Sequence, residues 1–286
     1  MKTPWRLFTA DWNFWPDNLS VEQIFETAAR LEFDGIELGV YAPDVELSPD
    51  RIQNLQELSR RYQLPIAGVL YSLPPSQWRG GCLASAEETV RQQVITDALE
   101  IARRVKAFGI DLLGLWLGGD RMKIVDDYNA AWSRLIGGMC EIADTLAAQG
   151  QRVAFEYKPG EIVANADAAR RLFDQVQRDN VGLLLDTGHA IYAHENLVDV
   201  LHKCGERLFY IHLDDNYADY DRDLPPGAVH NFRPFFEQLL AMDYRGDISL
   251  DLYYYMVDEG VSGAQASRAS REYLLPLWNS LAKESP

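Results

Sequence analysis

The sequence alternates short apolar segments with amphipathic stretches over its whole length. The apolar segments are rich in branched and aromatic residues, which favours strands, whereas the stretches between them have helical periodicity. Strands that alternate with helices favour parallel pairing through right-handed crossovers. Eight such units in 286 residues predict an α/β protein with the (β/α)8 TIM-barrel fold. The predicted strands cover residues 5–11, 34–40, 65–72, 111–118, 152–158, 181–187, 208–214 and 247–253.

Local signals for helix starts accompany this pattern. Ser20 with Gln23, and Ser85 with Glu88, have the spacing of a capping box, in which a serine and a glutamate or glutamine satisfy the first backbone N–H groups. Asn165 precedes another helical stretch and is placed to cap it. These signals predict where three of the helices begin.

An open, doubly wound sheet is the alternative architecture for such a chain. That fold usually carries a glycine-rich phosphate-binding turn after an early strand, and residues 11–15 contain no glycine. No shift in composition and no low-complexity linker marks a second domain. Residues 1–286 are therefore predicted to form a single barrel domain.

The net charge limits the possible binding partners, and the cysteine content indicates the cellular compartment. The formal net charge is −16, which argues against nucleic acid or an anionic membrane, because both need a basic surface. The three cysteines, Cys82, Cys140 and Cys204, form neither a zinc pattern nor a disulfide framework, which is typical of the reducing cytoplasm. Residues 1–10 lack the apolar core of a signal peptide, and no apolar run is long enough to span a bilayer. A cytoplasmic protein is expected.

Four successive predicted strands carry metal-binding residue types near their ends: Glu156, Asp186, His212 and Asp251. The carboxyl ends of barrel strands gather at one face, so these side chains are expected to converge. Three carboxylates and one imidazole suit Mn²⁺, Mg²⁺ or Co²⁺. Each residue also has a structural explanation when taken singly. Glu156 could form a buried ion pair with Lys158, Asp186 could cap a helix, and His212 could be a core histidine.

The acidic stretch after the seventh predicted strand is a further candidate. Residues 210–214 are mostly apolar, and the chain then becomes rich in aspartate. Asp221 and Asp223 form an Asp-x-Asp pair whose oxygens could bind a hard divalent cation. A solvated acidic loop is the alternative interpretation.

With these residues identified, the chain resembles the xylose isomerase-like TIM-barrel superfamily of sugar isomerases and epimerases. Residues 156–161, Glu-Tyr-Lys-Pro-Gly-Glu, are similar to the Glu-x-Lys-Pro-x-Glu strand end of aldose isomerases. Asp186 to His189 is similar to the acidic-x-x-His motif, and Asp221 with Asp223 to the Asp-x-Asp of the second metal site. Residues 214–216 and 224–230 are most similar to the L-rhamnose isomerase type.

The resemblance implies a site for up to two divalent ions, Mn²⁺ or else Mg²⁺ or Co²⁺. It implies aldose–ketose interconversion of a small sugar by a 1,2-hydride shift. The catalytic residues would be Lys158, Glu156, His189 and Asp221, and Lys158, Glu161 and Trp116 would contact the substrate. Members are often dimers or tetramers, so a homo-oligomer is expected. The implied metal ligands are Glu156, Asp186, His189, His212, Asp221, Asp223 and Asp251.

Three other functions remain open at this stage. A ketose 3-epimerase would move a proton between two metal-bound glutamates, whereas this chain has the shorter Asp251 at the second position. A phosphodiesterase of the endonuclease IV kind would need more histidine than the five present and a basic groove. A non-catalytic sugar-binding barrel is the third alternative. The first histidine is His189, so no residue matches the ring-opening histidine of xylose isomerases near the second or third strand.

Overall fold

The computed structural model describes residues 4–124 and 127–284. The eight strands lie in chain order and close into a barrel, with β1 parallel to both β2 and β8. This confirms the predicted (β/α)8 fold. The strands are β1 (Leu7–Ala10), β2 (Gly35–Val40), β3 (Ile66–Tyr71), β4 (Leu112–Trp116), β5 (Arg152–Glu156), β6 (Val181–Asp186), β7 (Leu208–Leu213) and β8 (Ile248–Leu250).

Helices follow the strands, with short 3-10 turns between some of them. The 3-10 turn Asp11–Phe14 follows β1, and Pro75–Gly80 lies in the long loop after β3. The α-helices are α1 (Val21–Arg30), α2 (Pro43–Glu46), α3 (Pro49–Tyr62), α4 (Glu88–Val105), α5 (Tyr128–Ala147), α6 (Ala166–Val176), α7 (Thr187–Tyr192), α8 (Leu197–Cys204), α9 (Arg233–Ala241), α10 (Tyr253–Glu259) and α11 (Gly263–Glu284).

Two of the three predicted helix caps are confirmed. Ser20 and Gln23 form the reciprocal capping box of α1, and the side chain of Asn165 accepts a hydrogen bond from Ala168 N in α6. The prediction at Ser85 was wrong, because Glu87 is the residue that precedes α4 and the Ser85 hydroxyl accepts from the backbone N–H of Glu87 instead. The local turn therefore uses the serine before the helix begins.

Several strands end earlier than predicted. β6 ends at Asp186, because this side chain accepts a hydrogen bond from His189 N and starts α7. β8 ends at Leu250, and Tyr253, predicted as strand, is the first residue of α10. The shift leaves Asp251 on the loop that follows β8 rather than within the strand.

The chain divides into two compact units. One contains the described residues up to Glu37, Leu58–Ile66 and those from Leu185 onward. Its interior includes a cluster of aromatic rings in which Trp5 lies 5.3 Å from Phe236 and 5.4 Å from Trp278.

The other unit contains Leu38–Glu57 and Ala67–Leu184. Its helices α4 and α5 bury apolar faces that include Val94, Ala98, Leu135 and Ile142. Each unit has its own apolar interior, and the single-domain assignment over residues 1–286 stays a prediction. Residues 1–3, part of the N-terminal stretch considered above, lie outside the described residues. Among the described helices, none combines the length and apolar character needed to cross a bilayer.

Candidate metal centre

Three of the predicted metal ligands come together at strand ends. Glu156 is the last residue of β5, Asp186 the last of β6, and His212 the penultimate residue of β7. All three are buried, and one ligand atom from each lies within 4.8 Å of the others. Buried carboxylates are costly unless a positive charge compensates them. The oxygen and imidazole donors of this group fit a divalent ion of the Mn²⁺, Mg²⁺ or Co²⁺ kind.

Asp251 lies beside His212. Its Oδ2 is 3.7 Å from His212 Nδ1, and its Oδ1 accepts a hydrogen bond from the indole N–H of Trp12 at 2.8 Å. Trp12 belongs to the 3-10 turn after β1, and its ring meets the imidazole edge-on at 5.6 Å. Asp251 therefore lies next to His212 with one oxygen bonded to Trp12, and its metal-binding role stays a prediction.

Glu37 is a buried acid that our sequence analysis missed. It lies on β2, is 1% exposed, and its two carboxylate oxygens are 3.2 and 3.1 Å from His212 Nε2. The hydroxyl of Tyr210 donates a hydrogen bond to Glu37 Oε2 at 3.2 Å. The sequence did contain a signal for this residue, namely a glutamate inside the apolar strand Gly35–Val40. An acid is rarely buried in a barrel strand without a partner.

Two of the residues predicted to bind a second metal ion, His189 and Asp221, lie close to each other. His189 Nδ1 lies 3.8 Å from Asp186 Oδ1, and its Nε2 lies 3.5 Å from Asp221 Oδ1. Asp223 is 5% exposed, and its Oδ2 accepts a hydrogen bond from Tyr254 N. Asp186 caps α7 and also belongs to the group of candidate ligands, so its interpretation as a helix cap is compatible with its interpretation as a metal ligand. The metal-binding roles of His189, Asp221 and Asp223 stay predictions.

Asp214 adds a carboxylate that was not among the predicted ligands. It is fully buried, and its Oδ1 accepts from Gly188 N at 2.7 Å and from the Thr187 hydroxyl at 3.1 Å. No hydrogen-bond partner for its Oδ2 occurs among the described residues. Burial, and then the charge of Asp186, raise the pKa of Asp214 well above its ordinary value. This concentration of buried acid is the electrostatic setting in which a bound cation is favourable.

Two of the predicted substrate-binding residues, Lys158 and Trp116, contact each other, and the third, Glu161, is buried nearby in the chain. The ammonium of Lys158 is 5.3 Å from the ring centre of Trp116, and Trp116 meets Trp78 edge-on at 5.1 Å. Glu161 is buried, and its carboxylate is 3.7 Å from Arg121 Nε. The aromatic faces can pack against the C–H groups of a sugar, and the charged groups can bind its hydroxyls. The substrate-binding roles of Lys158, Glu161 and Trp116 stay predictions.

Asp120 is another buried carboxylate that the sequence analysis missed. It follows β4, and its Oδ1 accepts hydrogen bonds from the backbone N–H groups of Cys82 at 2.8 Å and Ala84 at 2.9 Å. Its Oδ2 is buried and has no hydrogen-bond partner among the described residues. Burial raises the pKa of Asp120 to about 7. This side chain ties the end of the long loop over residues 73–84 to the segment after β4.

We expect Asp120 to make stability depend on pH. Its pKa lies above the ordinary 3.8, so its contribution to the free energy of unfolding is full below about pH 4 and is lost as the pH rises through about 7. The loss is on the order of 4 kcal/mol, since one pKa unit corresponds to about 1.4 kcal/mol. Urea unfolding should show the natural protein losing stability relative to Asp120→Asn between about pH 4 and about pH 8. A difference between the two proteins that does not change with pH would contradict this.

The fold and the buried ligand group define a (β/α)8 barrel whose strands end in potential metal ligands. A family model described as "xylose isomerase-like TIM barrel" matches residues 25–277, and the chain belongs to this family. The resemblance seen in the sequence motifs is thereby confirmed at the level of the superfamily.

Curated relatives include inosose dehydratases. The chain is 27% identical over 141 residues to inosose dehydratase of Geobacillus kaustophilus (strain HTA426), which covers 43% of this chain and 46% of that protein. It is 30% identical over 88 residues to inosose dehydratase of Clostridium beijerinckii, covering 31% and 30%. These matches span about half or less of the relatives' length.

Solved structures with the same fold include sugar epimerases. The 3-keto-D-glucoside 4-epimerase YcjR of E. coli is 18% identical with a TM-score of 0.77, over 95% of this chain and 99% of that one. An L-ribulose 3-epimerase is 16% identical with a TM-score of 0.79, over 98% and 96%. The IolI protein, solved with a zinc atom, is 17% identical with a TM-score of 0.76, over 96% and 98%. At these identities the likeness supports the fold alone.

Proposed function

We propose that the protein is a divalent-metal-dependent enzyme that removes a proton from the carbon beside the carbonyl of a keto sugar or a cyclic keto-polyol. The observation that carries the proposal is the buried group of Glu156, Asp186 and His212. The names of the relatives support the substrate class: a dehydratase of inosose removes water, and the 3-epimerases invert a carbon of a ketose. Either reaction can begin with removal of a proton next to a carbonyl.

The ion would be held by Glu156, Asp186 and His212, with Asp251 as a fourth ligand. Mn²⁺ is the expected ion and Mg²⁺ or Co²⁺ the alternatives, because carboxylates dominate the donor set. When bound, the metal supplies Lewis-acid polarisation of a substrate carbonyl.

The chain's own groups would move the proton and stabilise charge. The Trp12 indole donates a hydrogen bond to one oxygen of Asp251, and this restraint favours a role for Asp251 in binding the metal rather than in moving a proton. Glu156 would therefore be the carboxylate that accepts the proton from the substrate carbon. The Lys158 ammonium would stabilise the oxygen that becomes negative, and preorganised charge of this kind is a major source of rate enhancement.

A second candidate function is aldose–ketose isomerisation by a 1,2-hydride shift. The observation that favours it is the position of His189, 3.8 Å from Asp186 and 3.5 Å from Asp221, which would suit a second ion. In that reaction Lys158 and the metals would polarise the carbonyl that accepts hydride. The two candidates differ in whether the migrating hydrogen exchanges with solvent.

Turnover in deuterated water should distinguish them. Ketoses, aldoses and cyclic keto-polyols would be incubated with the Mn²⁺-loaded protein, and products analysed by NMR and mass spectrometry. Proton transfer predicts one deuterium at the inverted carbon of an epimer. In a dehydration, the carbon next to the carbonyl loses its hydrogen to the solvent and the neighbouring carbon loses its hydroxyl as water. Protein treated with a chelator is the control and should be inactive. Products that retain the substrate's own hydrogen would support the isomerase, and saturable binding without conversion would support a sugar-binding barrel.

A further inference from the structure

We propose that Glu37 is a positioning residue that fixes His212 with Nδ1 toward the metal, so that metal affinity depends on Glu37 although it does not bind the ion. This inference rests on the metal centre of the proposed function and deepens it. Glu37 is not one of the predicted metal ligands, and it lies on β2, far in sequence from His212 on β7.

The imidazole of His212 is held on three sides. Its Nε2 meets the Glu37 carboxylate at 3.1 and 3.2 Å. Trp12 and Tyr210 pack edge-on against the ring at 5.6 and 5.8 Å between centroids. The residue is 0% exposed, so water does not reach the ring from outside. The ring plane and its rotation are therefore set by neighbouring side chains.

The contact with Glu37 favours one tautomer of His212. A carboxylate oxygen accepts hydrogen bonds, so this contact favours the proton on Nε2 and leaves the lone pair on Nδ1. That lone pair faces Oδ2 of Asp251, another acceptor, at 3.7 Å. Two acceptors that face each other repel unless a cation lies between them. The separation also suits two ligands of one ion, since metal–ligand bonds of this type are about 2.1 Å.

Glu37 is itself oriented by a neighbour. The Tyr210 hydroxyl donates a hydrogen bond to Glu37 Oε2 at 3.2 Å. Tyr210 and His212 are two apart on β7, so their side chains point to the same face of the strand. A glutamate on β2 can therefore contact both.

The test is Mn²⁺ binding to protein stripped with a chelator, measured by calorimetry without substrate. Glu37→Gln keeps an acceptor for Nε2 but removes the charge, and we expect Mn²⁺ affinity to fall by about 10-fold, within the range for partners of metal-binding histidines. Tyr210→Phe removes the hydroxyl that donates to Glu37 and leaves the Glu37 carboxylate in place, so a smaller loss of affinity is expected. This second variant keeps the inference testable if Glu37→Gln does not fold.

The melting temperature of the metal-free protein separates positioning from a structural role. Glu100→Gln is the matched control, because Glu100 on α4 pairs with Arg103 and Arg104 and the same exchange of glutamate for glutamine removes its charge. It should lower the melting temperature and leave Mn²⁺ affinity unchanged. If Glu37→Gln and Tyr210→Phe behave in the same way as this control, the positioning role is overturned while the proposed function stands. Failure of the natural protein to bind Mn²⁺ would overturn both.

Discussion

Asp186→Asn should abolish tight Mn²⁺ binding and leave the fold intact. The carboxylate belongs to the buried ligand group with Glu156 and His212, and it also lies 3.8 Å from His189. Loss of its charge removes a ligand from the proposed centre, so we expect affinity to fall by more than about 100-fold, beyond the effect of changing a ligand's partner. Turnover should disappear with it.

The choice of asparagine separates the two roles of this residue. Asp186 Oδ1 accepts a hydrogen bond from His189 N at the start of α7, and asparagine caps helices about as well as aspartate. Stability of the metal-free variant should therefore be close to that of the natural protein. Calorimetry with Mn²⁺ and urea unfolding measure the two properties independently.

A matched control is available at another helix start. Asn196 caps α8 by accepting from Val198 N and Asp199 N, and Asn196→Asp exchanges the same two side chains in the opposite direction. It should alter neither Mn²⁺ affinity nor turnover. If Asp186→Asn binds Mn²⁺ as the natural protein does, Asp186 is a helix cap and the proposed metal centre is wrong.

Gly188→Ala should produce a large loss of stability. A Cβ at this position would lie 1.8 Å from Asp214 Oδ2 and 2.6 Å from its Cγ. Asp214 cannot easily move, because it is fully buried and accepts hydrogen bonds from Gly188 N and the Thr187 hydroxyl. We expect the free energy of unfolding to fall by about 3 kcal/mol or more, at the upper end of the range for overpacked interiors.

Two comparisons identify the clash as the cause. Gly137 lies within α5, is exposed, and has open space where a Cβ would stand, so Gly137→Ala should stabilise the protein by roughly 0.5–1 kcal/mol. The double variant Gly188→Ala with Asp214→Ala should be more stable than Gly188→Ala alone, because the carboxylate that collides is gone. Equal effects of alanine at Gly188 and Gly137 in urea unfolding would refute this account.

Structural features that depend on residues close together in sequence, such as strands and helix caps, could be predicted from the sequence. The alternation of apolar and helical stretches predicted the eight strands, because period and composition are local properties. The caps at Ser20 and Asn165 were confirmed for the same reason, since their partners lie three residues away. Glu156, Asp186 and His212 were grouped because the carboxyl ends of barrel strands meet at one face.

Contacts between distant parts of the chain required the tertiary structure. Glu37 meets His212 across 175 positions, and Trp12 meets Asp251 across 239. Asp120 reaches the backbone of Cys82 and Ala84 from another loop. Each contact depends on the direction of a side chain within a closed barrel, where the partner is chosen by three-dimensional packing. The sequence by itself determined the barrel and grouped the candidate ligands, whereas only the folded chain decided which buried groups contact them.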